Sequence, residues 1–399
     1  MPSCPPSYQV LPVPVVPGYP AADAARPGVR ARPVPRGPPR DRHRTPRRPG
    51  RSPRPAPGGS ACRWVCRTGW RETAGVRRHQ PGSAEGEVGC VAPAASTPAA
   101  DVWLLAREHP APLLRSTGEL ARALAAAHGE RFAVWRTDEL VFGVYGGRLV
   151  LRTLGGADIP APKVVCVRQV PGSMHHDREI SLLRHLERMG AELVNPLDAH
   201  LRCRNKLWQL QELATAGLPV PDTLSYATAP LEGVVRSPGL GTPCVVKFVT
   251  GRQGRRVFLA PDGHLLRDMA GSLAHDVPVL LQEYVAASHG RDLRVIVIDG
   301  EAVAAEVRTS TDGALVSNLA RGGTATVCPG RYRAAESLAV EAARSLGLVV
   351  AGVDLMFTSA DADVICEVNS VPGWRPEMTA VVPAVLRCVA RRLGHHAAS

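Results

Sequence analysis

The sequence predicts an α/β protein in which mixed helix-and-strand lobes follow an irregular amino-terminal extension. Three observations support this. The chain has 399 residues, 45% of them hydrophobic, enough for a sizeable core divided among two or three domains. From residue 101 onward, short apolar runs alternate with stretches of helical spacing, the pattern of strands interleaved with helices. The first hundred residues differ in kind: they hold 20 of the 37 prolines, 16 arginines, no lysine and 5 acidic residues.

That extension carries +11 of the net charge of +12, so the basic balance says nothing about the partners of the remainder. Stretches such as Arg32-Pro33-Val34-Pro35-Arg36 cannot hold a helix or a central strand. Residues 1–100 are expected to be a disordered Pro/Arg-rich extension, because they bury too little apolar surface to offset their ordering entropy. Such a tail could bind nucleic acid, or it could be an incidental extension from a start codon placed too far upstream. No apolar run is long enough to cross a membrane, and the first residues lack the order of a signal peptide. The ten cysteines contain no C-x-x-C pair, and Cys62 and Cys66 have no second ligand pair at finger spacing. A reducing, cytoplasmic setting fits this usage.

Val102 to Leu105 reads as a strand, then a helix with Ser116 as its cap, Glu119 as the capping-box partner, and Leu120 and Leu124 on one face. Phe132 to Trp135 is a second strand, and Val141 to Leu151 a hairpin turning at Gly146-Gly147. Val164 to Val170 is a strand and Asp177 to Met189 a helix. Asn205 to Ala216 is an amphipathic helix stopped by Gly217. Val245 to Val249, Val279 to Tyr284, Leu293 to Ile298 and Ala302 to Arg308 are strands, the last two joined at Asp299-Gly300. A helix over Ala334 to Leu346 precedes strands at Val349 to Phe357 and Val364 to Val368. No internal repeat is visible.

Only three lysines stand against 45 arginines: Lys163, Lys206 and Lys247. In so arginine-biased a chain, a lysine that persists can mark a place that needs a compact ammonium rather than a planar fork. Lys247 closes an apolar strand just before Thr250-Gly251-Arg252-Gln253-Gly254, an arrangement that can grip phosphates with a point charge and backbone N–H groups. Glu367 and Asn369 alternate onto one strand face, and Asp354 lies on the preceding strand. Two carboxylates and a carboxamide suit Mg²⁺ or Mn²⁺ completed by phosphate oxygens. On apolar strands, such acids would be costly without a cation. Arg308 ends a strand, and Arg321 sits in a glycine-flanked loop open to an anion. His175-His176 and His395-His396 read as exposed histidines, and no Ser-His-Asp or Cys-His arrangement is evident.

Taken in order, Lys206, Lys247 with its loop, Gln282-Glu283-Tyr284, Asp292-Leu293-Arg294, Ser317-Asn318, Arg321-Gly322-Gly323, Gly352-Val353-Asp354 and Glu367-Val368-Asn369 resemble the ATP-grasp ligases, and within them the RimK-type glutamate ligases. Ser288-His289-Gly290-Arg291-Asp292 and Ser310-Thr311-Asp312-Gly313 look like the N-acetylaspartylglutamate synthetases. Asn369-Ser370-Val371-Pro372-Gly373-Trp374 is closer to the prokaryotic members, which include ribosomal-protein glutamate ligases. The resemblance spans about residues 101–395.

The resemblance implies an ATP-grasp fold: a Rossmann-like domain at 101–200, lobe A at 201–280, and lobe B with the metal site at 281–395. ATP would be bound by Lys206, Lys247, Gly251, Gln253, Gly254, Gln282, Glu283, Tyr284, Asp292, Ser317 and Asn318. Two Mg²⁺ or Mn²⁺ ions would be held by Asp354, Glu367 and Asn369. Arg294, Arg308, Asn318 and Arg321 would hold carboxylate or acyl phosphate. The implied reaction is ADP-forming amide synthesis through an acyl phosphate, adding L-glutamate to a carboxylate-bearing acceptor; the sequence leaves the oligomeric state open, a homo-oligomer being one option. The rival expectations are another amino acid or a peptide as the amine, and an arginine-rich nucleic-acid-binding protein with a regulatory ATP domain. Two departures stand out: Arg256 where several relatives have glycine, and Val316 in place of a polar residue.

Overall fold

The computed structural model describes residues 99–107, 114–168, 177–236, 239–249, 256–273, 278–317, 322–358 and 363–398. Residues 1–98 of the extension read as disordered lie outside them, as do Gly251, Gln253, Gly254, Asn318 and Arg321, whereas Ala100 is described and buried.

The first sheet is built from β1 (Val102–Ala106), β2 (Phe132–Arg136), β5 (Val164–Val167) and β6 (Glu192–Val194), with α1 (Arg115–His128), the hairpin β3 (Leu140–Tyr145) and β4 (Arg148–Thr153), and α2 (Asp177–Arg188) between them. Its order is β2–β1–β5–β6, all parallel. Every residue of β1 and β5 is buried, as a parallel strand covered on both faces requires. The hairpin turns at Gly146 and Gly147, both with positive φ (57° and 75°), the conformation that Gly-Gly supplies without strain.

One expectation is corrected here. Ser116 does not cap α1; the helix starts one residue earlier, and its cap, Leu114, offers no side-chain bond. Ser116 lies inside the first turn, buried, and its hydroxyl is directed to Arg168 at the end of β5.

The expected helix from Asn205 is preceded by another. α3 (Leu197–Arg204) and α4 (Lys206–Thr215) meet at Asn205, whose carboxamide oxygen accepts from the N–H groups of Leu207 and Trp208. Gly217, at φ 74°, follows the end of α4.

The second sheet holds β7 (Thr223–Leu224), β8 (Cys244–Phe248), β9 (Val257–Ala260) and β10 (Val279–Glu283), with α5 (Leu231–Arg236) and α6 (Gly263–Ser272) on its apolar face. Its order is β7–β10–β8–β9, antiparallel.

The third sheet is the framework of the site. It comprises β11 (Arg291–Ile298), β12 (Glu301–Thr309), β13 (Thr324–Val327), β14 (Val350–Met356) and β15 (Val364–Asn369), ordered β13–β12–β11–β14–β15 and antiparallel. Leu293, Val295 and Val297 pack under α7 (Arg333–Ser345) with Ala339 and Ala342. Alternation sends Asp292, Arg294, Ile296 and Ile298 to the opposite face. Of these, Ile296 and Ile298 pack with α8 (Val381–Ala398), α1 and the first sheet. The second face is therefore apolar at one end and charged at the other, and the charged end positions the site.

Candidate active site

The site begins as a row across the third sheet. Glu306 on β12, Arg294 on β11, Asp354 on β14 and Glu367 on β15 are register partners in that order. Side chains directly opposite on neighbouring strands share a face, so four charges in alternating and then like sign line up. Asp292 and Arg308 form the next pair, and Gly352 opposite Asn369 the pair beyond Asp354.

Side-chain contacts tie the rows together. Arg294 binds Asp354 through both fork nitrogens at 2.7 Å, and Arg308 does the same to Asp292 while reaching Asp354 at 3.2 Å. Asn369 Nδ2 lies 3.4 Å from Asp354 Oδ2. Lys206 Nζ, at the start of α4, meets Glu367 Oε1 at 2.5 Å. Lys247, at the end of β8, donates to Gln282 Oε1 at 2.5 Å and reaches Cys366 Sγ at 3.4 Å. Gln282 in turn donates to Thr223. The buried Ser317 hydroxyl hydrogen-bonds Asp292.

Two sheets thus meet across one polar seam. Lys247 and Gln282 come from the second, and Asp292, Arg294, Arg308, Asp354, Glu367 and Asn369 from the third. Glu283 and Tyr284 stand at the edge of the seam. Glu283 closes back on Asp222, while Tyr284 hydrogen-bonds His289, whose other nitrogen meets the Gly313 carbonyl.

Burial raises the Asp354 carboxyl, but Arg294 and Arg308 outweigh it and hold it down at about 2. Asp354 is therefore ionised at any physiological pH. Burial pushes Glu306 the other way, upward; its Oε2 has no hydrogen bond among the described residues, with Arg375 Nε at 3.7 Å.

Family membership follows from the comparisons. The RimK-like ATP-grasp domain profile matches residues 203–383. Human and mouse N-acetylaspartylglutamate synthase A are 38% identical over 261 and 283 residues, spanning 64% and 69% of this chain and 66% and 73% of those proteins. The chain belongs to the RimK-like ATP-grasp family of ATP-dependent ligases. Human beta-citrylglutamate synthase B is 39% identical over 261 residues, covering 64% of this chain and 67% of its own. The fold has solved counterparts, among them the ATP-grasp ligase PsnB complexed with a phosphomimetic precursor variant, Mg and ADP (TM-score 0.55, 21% identity, 73% of this chain and 98% of that one). The ATP-grasp architecture expected from the motifs is thus the observed one.

As in other ATP-grasp ligases, a divalent metal belongs to the chemistry, and the donor set here suits one. Asp354, Glu367 and Asn369 present oxygen on one sheet face and no soft ligand, which fits Mg²⁺ or Mn²⁺. Their charges are neutralised by protein cations: Asp354 by Arg294 and Arg308, Glu367 by Lys206. The resemblance implies that Arg294 and Arg308 face a substrate anion, whereas both forks are filled by carboxylates of the site itself.

Sequence reasoning missed several residues of this ligase. Register jumps between Asp354↔Glu367 and Leu355↔Ile365, leaving Cys366 unpaired in a bulge and turned toward Lys247. Strict alternation would have placed it away from Glu367. Asn195 donates to the carbonyls of Val350 and Ser370 and accepts from the N–H groups of Val349 and Val350. Gln209 accepts from the Val368 N–H, pinning β15 between Glu367 and Asn369. Both are buried carboxamides, and only their distant partners reveal them.

Proposed function

We propose that this ligase adds L-glutamate to a carboxylate-bearing acceptor, forming an amide through an acyl phosphate and releasing ADP and phosphate. The observation that carries the reading is the polar seam between two sheets, in which Lys206, Arg294 and Arg308 pair with Glu367, Asp354 and Asp292, and Lys247 donates to Gln282 beside them. The glutamate assignment draws on the relatives, both named for products that contain glutamate.

In this reading, Lys206 and Lys247 bind the ATP phosphates with help from the loop carrying Gly251, Gln253 and Gly254. The backbone of Gln282, Glu283 and Tyr284 holds adenine, and Asp292 with Ser317 holds the ribose side. Asp354, Glu367 and Asn369 hold the divalent ions. A cation held by these three side chains would supply positive charge to offset the charge on the phosphates. Arg294, Arg308, Asn318 and Arg321 orient the acceptor. An acceptor carboxylate oxygen attacks the γ-phosphorus and ADP leaves; the amine nitrogen then attacks the acyl carbon and phosphate leaves. Such chemistry needs alignment and charge neutralisation more than a nucleophilic side chain. The expected lobes are 201–280 and 281–395, with 101–200 beside them.

The test is purified protein with ATP, Mg²⁺ and L-glutamate against a panel of small polycarboxylic acids and acidic peptides, read by ADP release and product mass. A mass gain of one glutamyl residue with stoichiometric ADP is the expected result. ADP release only with another amino acid, or none with any acceptor, would defeat the glutamate assignment.

A further inference from the structure

A second polar cluster lies where the loop after β15 meets the first sheet. Arg168, one residue past β5, is 7% exposed and has no acidic partner among the described residues. Its Nη2 donates to the Pro372 carbonyl at 2.9 Å. Its remaining bonds are long, 3.3 Å to Thr117 Oγ1 and 3.4 Å to Ser116 Oγ. The guanidinium stacks over the Trp374 ring at 4.6 Å. Burial lowers its pKa only to about 10, so it stays charged at neutral pH.

A buried cation without an anion is costly, and single arginines are rarely left so. Three more features point to what completes it. The Trp374 indole N–H is buried and has no hydrogen-bond partner among the described residues; the residue is 8% exposed. Ser116 and Thr117 belong to the first turn of α1, a fourteen-residue helix with no side-chain cap, whose positive dipole end adds to the guanidinium. Arg168, Trp374 and Ser370 line one small cavity, walled otherwise by apolar side chains such as Leu120 and Val385.

The location ties this cluster to the chemistry. Ser370 follows Asn369 directly, and Pro372 sits against Gly352, where an added Cβ would stand 2.7 Å from the Pro372 Cβ. Ser370 is further held by Asn195 and His200.

We propose that Arg168, the Trp374 N–H and the hydroxyls of Ser116 and Thr117 form a carboxylate-binding subsite that holds a non-reacting carboxylate of the ligase's substrate. A forked guanidinium matches the two oxygens of a carboxylate, and the indole N–H supplies a third donor. The proposal rests on the ligase reading for the identity of its ligand. The carboxylate can belong to the amino acid or to the acceptor acid.

The experiment uses the full chain without nucleotide, following thermal unfolding against L-glutamate, L-glutamine, citrate and inorganic phosphate. Wild type and Trp374→Phe are compared, because phenylalanine keeps the ring and loses only the donor; Arg168→Met is the second variant. A carboxylate should raise the wild-type midpoint, with its half-saturating concentration about tenfold or more higher in Trp374→Phe, as loss of a hydrogen bond to a charged group predicts. Equal response to glutamate and glutamine assigns the α-carboxylate; response to citrate alone assigns the acceptor acid.

Steady-state turnover of Trp374→Phe should show a raised KM for the same substrate with the KM for ATP unchanged. Wild type and Trp374→Phe titrating alike overturns the subsite, whether or not Arg168→Met folds. So does a Trp374-dependent response to phosphate but to no carboxylate. No amide product from any acid, with the Trp374-dependent carboxylate response intact, removes the ligase reading and leaves the subsite. Product formation with unchanged KM values removes the subsite and leaves the ligase.

Discussion

Lys206 and Glu367 stand 161 residues apart in the chain and meet at 2.5 Å, joining the first residue of α4 to β15. Both are partly buried, with side chains 15% and 33% exposed. Each neutralises the other, and in the proposed reading a nucleotide phosphate would be the alternative partner of Lys206 and a divalent cation that of Glu367. Removing one leaves the other poorly solvated, which makes the choice of substitution matter.

Glu367→Gln should keep the fold and lower turnover by orders of magnitude, since it removes a carboxylate oxygen from the donor set while leaving an acceptor for Lys206. Asp354→Ala is a poorer test. Arg294 and Arg308 would then face each other buried, and breaking a buried pair costs about 3–5 kcal/mol. Circular dichroism melts beside steady-state rates separate the two effects; a near-normal rate for Glu367→Gln would take that residue out of the mechanism.

Lys247→Arg should weaken apparent ATP affinity and turnover although charge is kept. Its ammonium fits between Gln282 Oε1 and Cys366 Sγ, a gap that a longer planar fork cannot fill in the same way. Lys163 is the control: its side chain is 43% exposed and pairs with Asp101 at 3.3 Å. Lys163→Arg should be silent within about 0.5 kcal/mol. If the two variants titrate ATP alike, the phosphate-gripping role of Lys247 is wrong.

Arg256 sits at φ 65°, with its guanidinium over the Phe248 ring at 5.0 Å. A left-handed residue other than glycine costs about 1–2 kcal/mol, and glycine gives back about 0.4–1 kcal/mol in unfolded-chain entropy. Arg256→Gly should therefore leave stability unchanged or raise it by up to about 1.6 kcal/mol, whereas Arg256→Val should destabilise, because a β-branched residue tolerates this conformation worst. Chemical denaturation of both variants decides it; equal midpoints would contradict the backbone argument.

His200 is fully buried, with Nδ1 3.0 Å from Ser370 Oγ and Nε2 without a partner. Burial lowers its pKa to about 4, against the Asn195 backbone carbonyl, which raises it by accepting from the ring. The folded state thus takes up its proton later than the unfolded state as pH falls. The stability this contributes is full above the unfolded value of 6.5 and is lost as pH drops toward about 4. The loss amounts to about 3 kcal/mol over that window. Urea titrations from pH 7 to 4 should show it, and His200→Gln should flatten that part of the curve.

Much of the fold was legible. The alternation at Leu293, Val295 and Val297 marked β11, the Asp299-Gly300 pair turned it into β12, and Gly217 stopped α4 where expected. These features are local: side-chain period, positive-φ turns and helix ends are set by residues a few positions apart. β6, β7, β9 and β13, each two to four residues long, were not legible, because so short a run carries no period.

Of the site, the sequence by itself singled out part of the polar seam: Lys206 and Lys247 in an arginine-rich chain, and Glu367 and Asn369 on one strand face, with Asp354 on the strand before. Tertiary structure alone decided who pairs with whom. The register that places Arg294 between Glu306 and Asp354 is a property of three strands together. So is the bulge that turns Cys366 toward Lys247. Ser116 shows the limit most clearly. Locally it reads as a cap, yet a buried guanidinium 52 residues away, with no acid beside it among the described residues, draws its hydroxyl inward. The physical reason is that long-range electrostatics and burial act through space, whereas sequence patterns report only what neighbours along the chain impose.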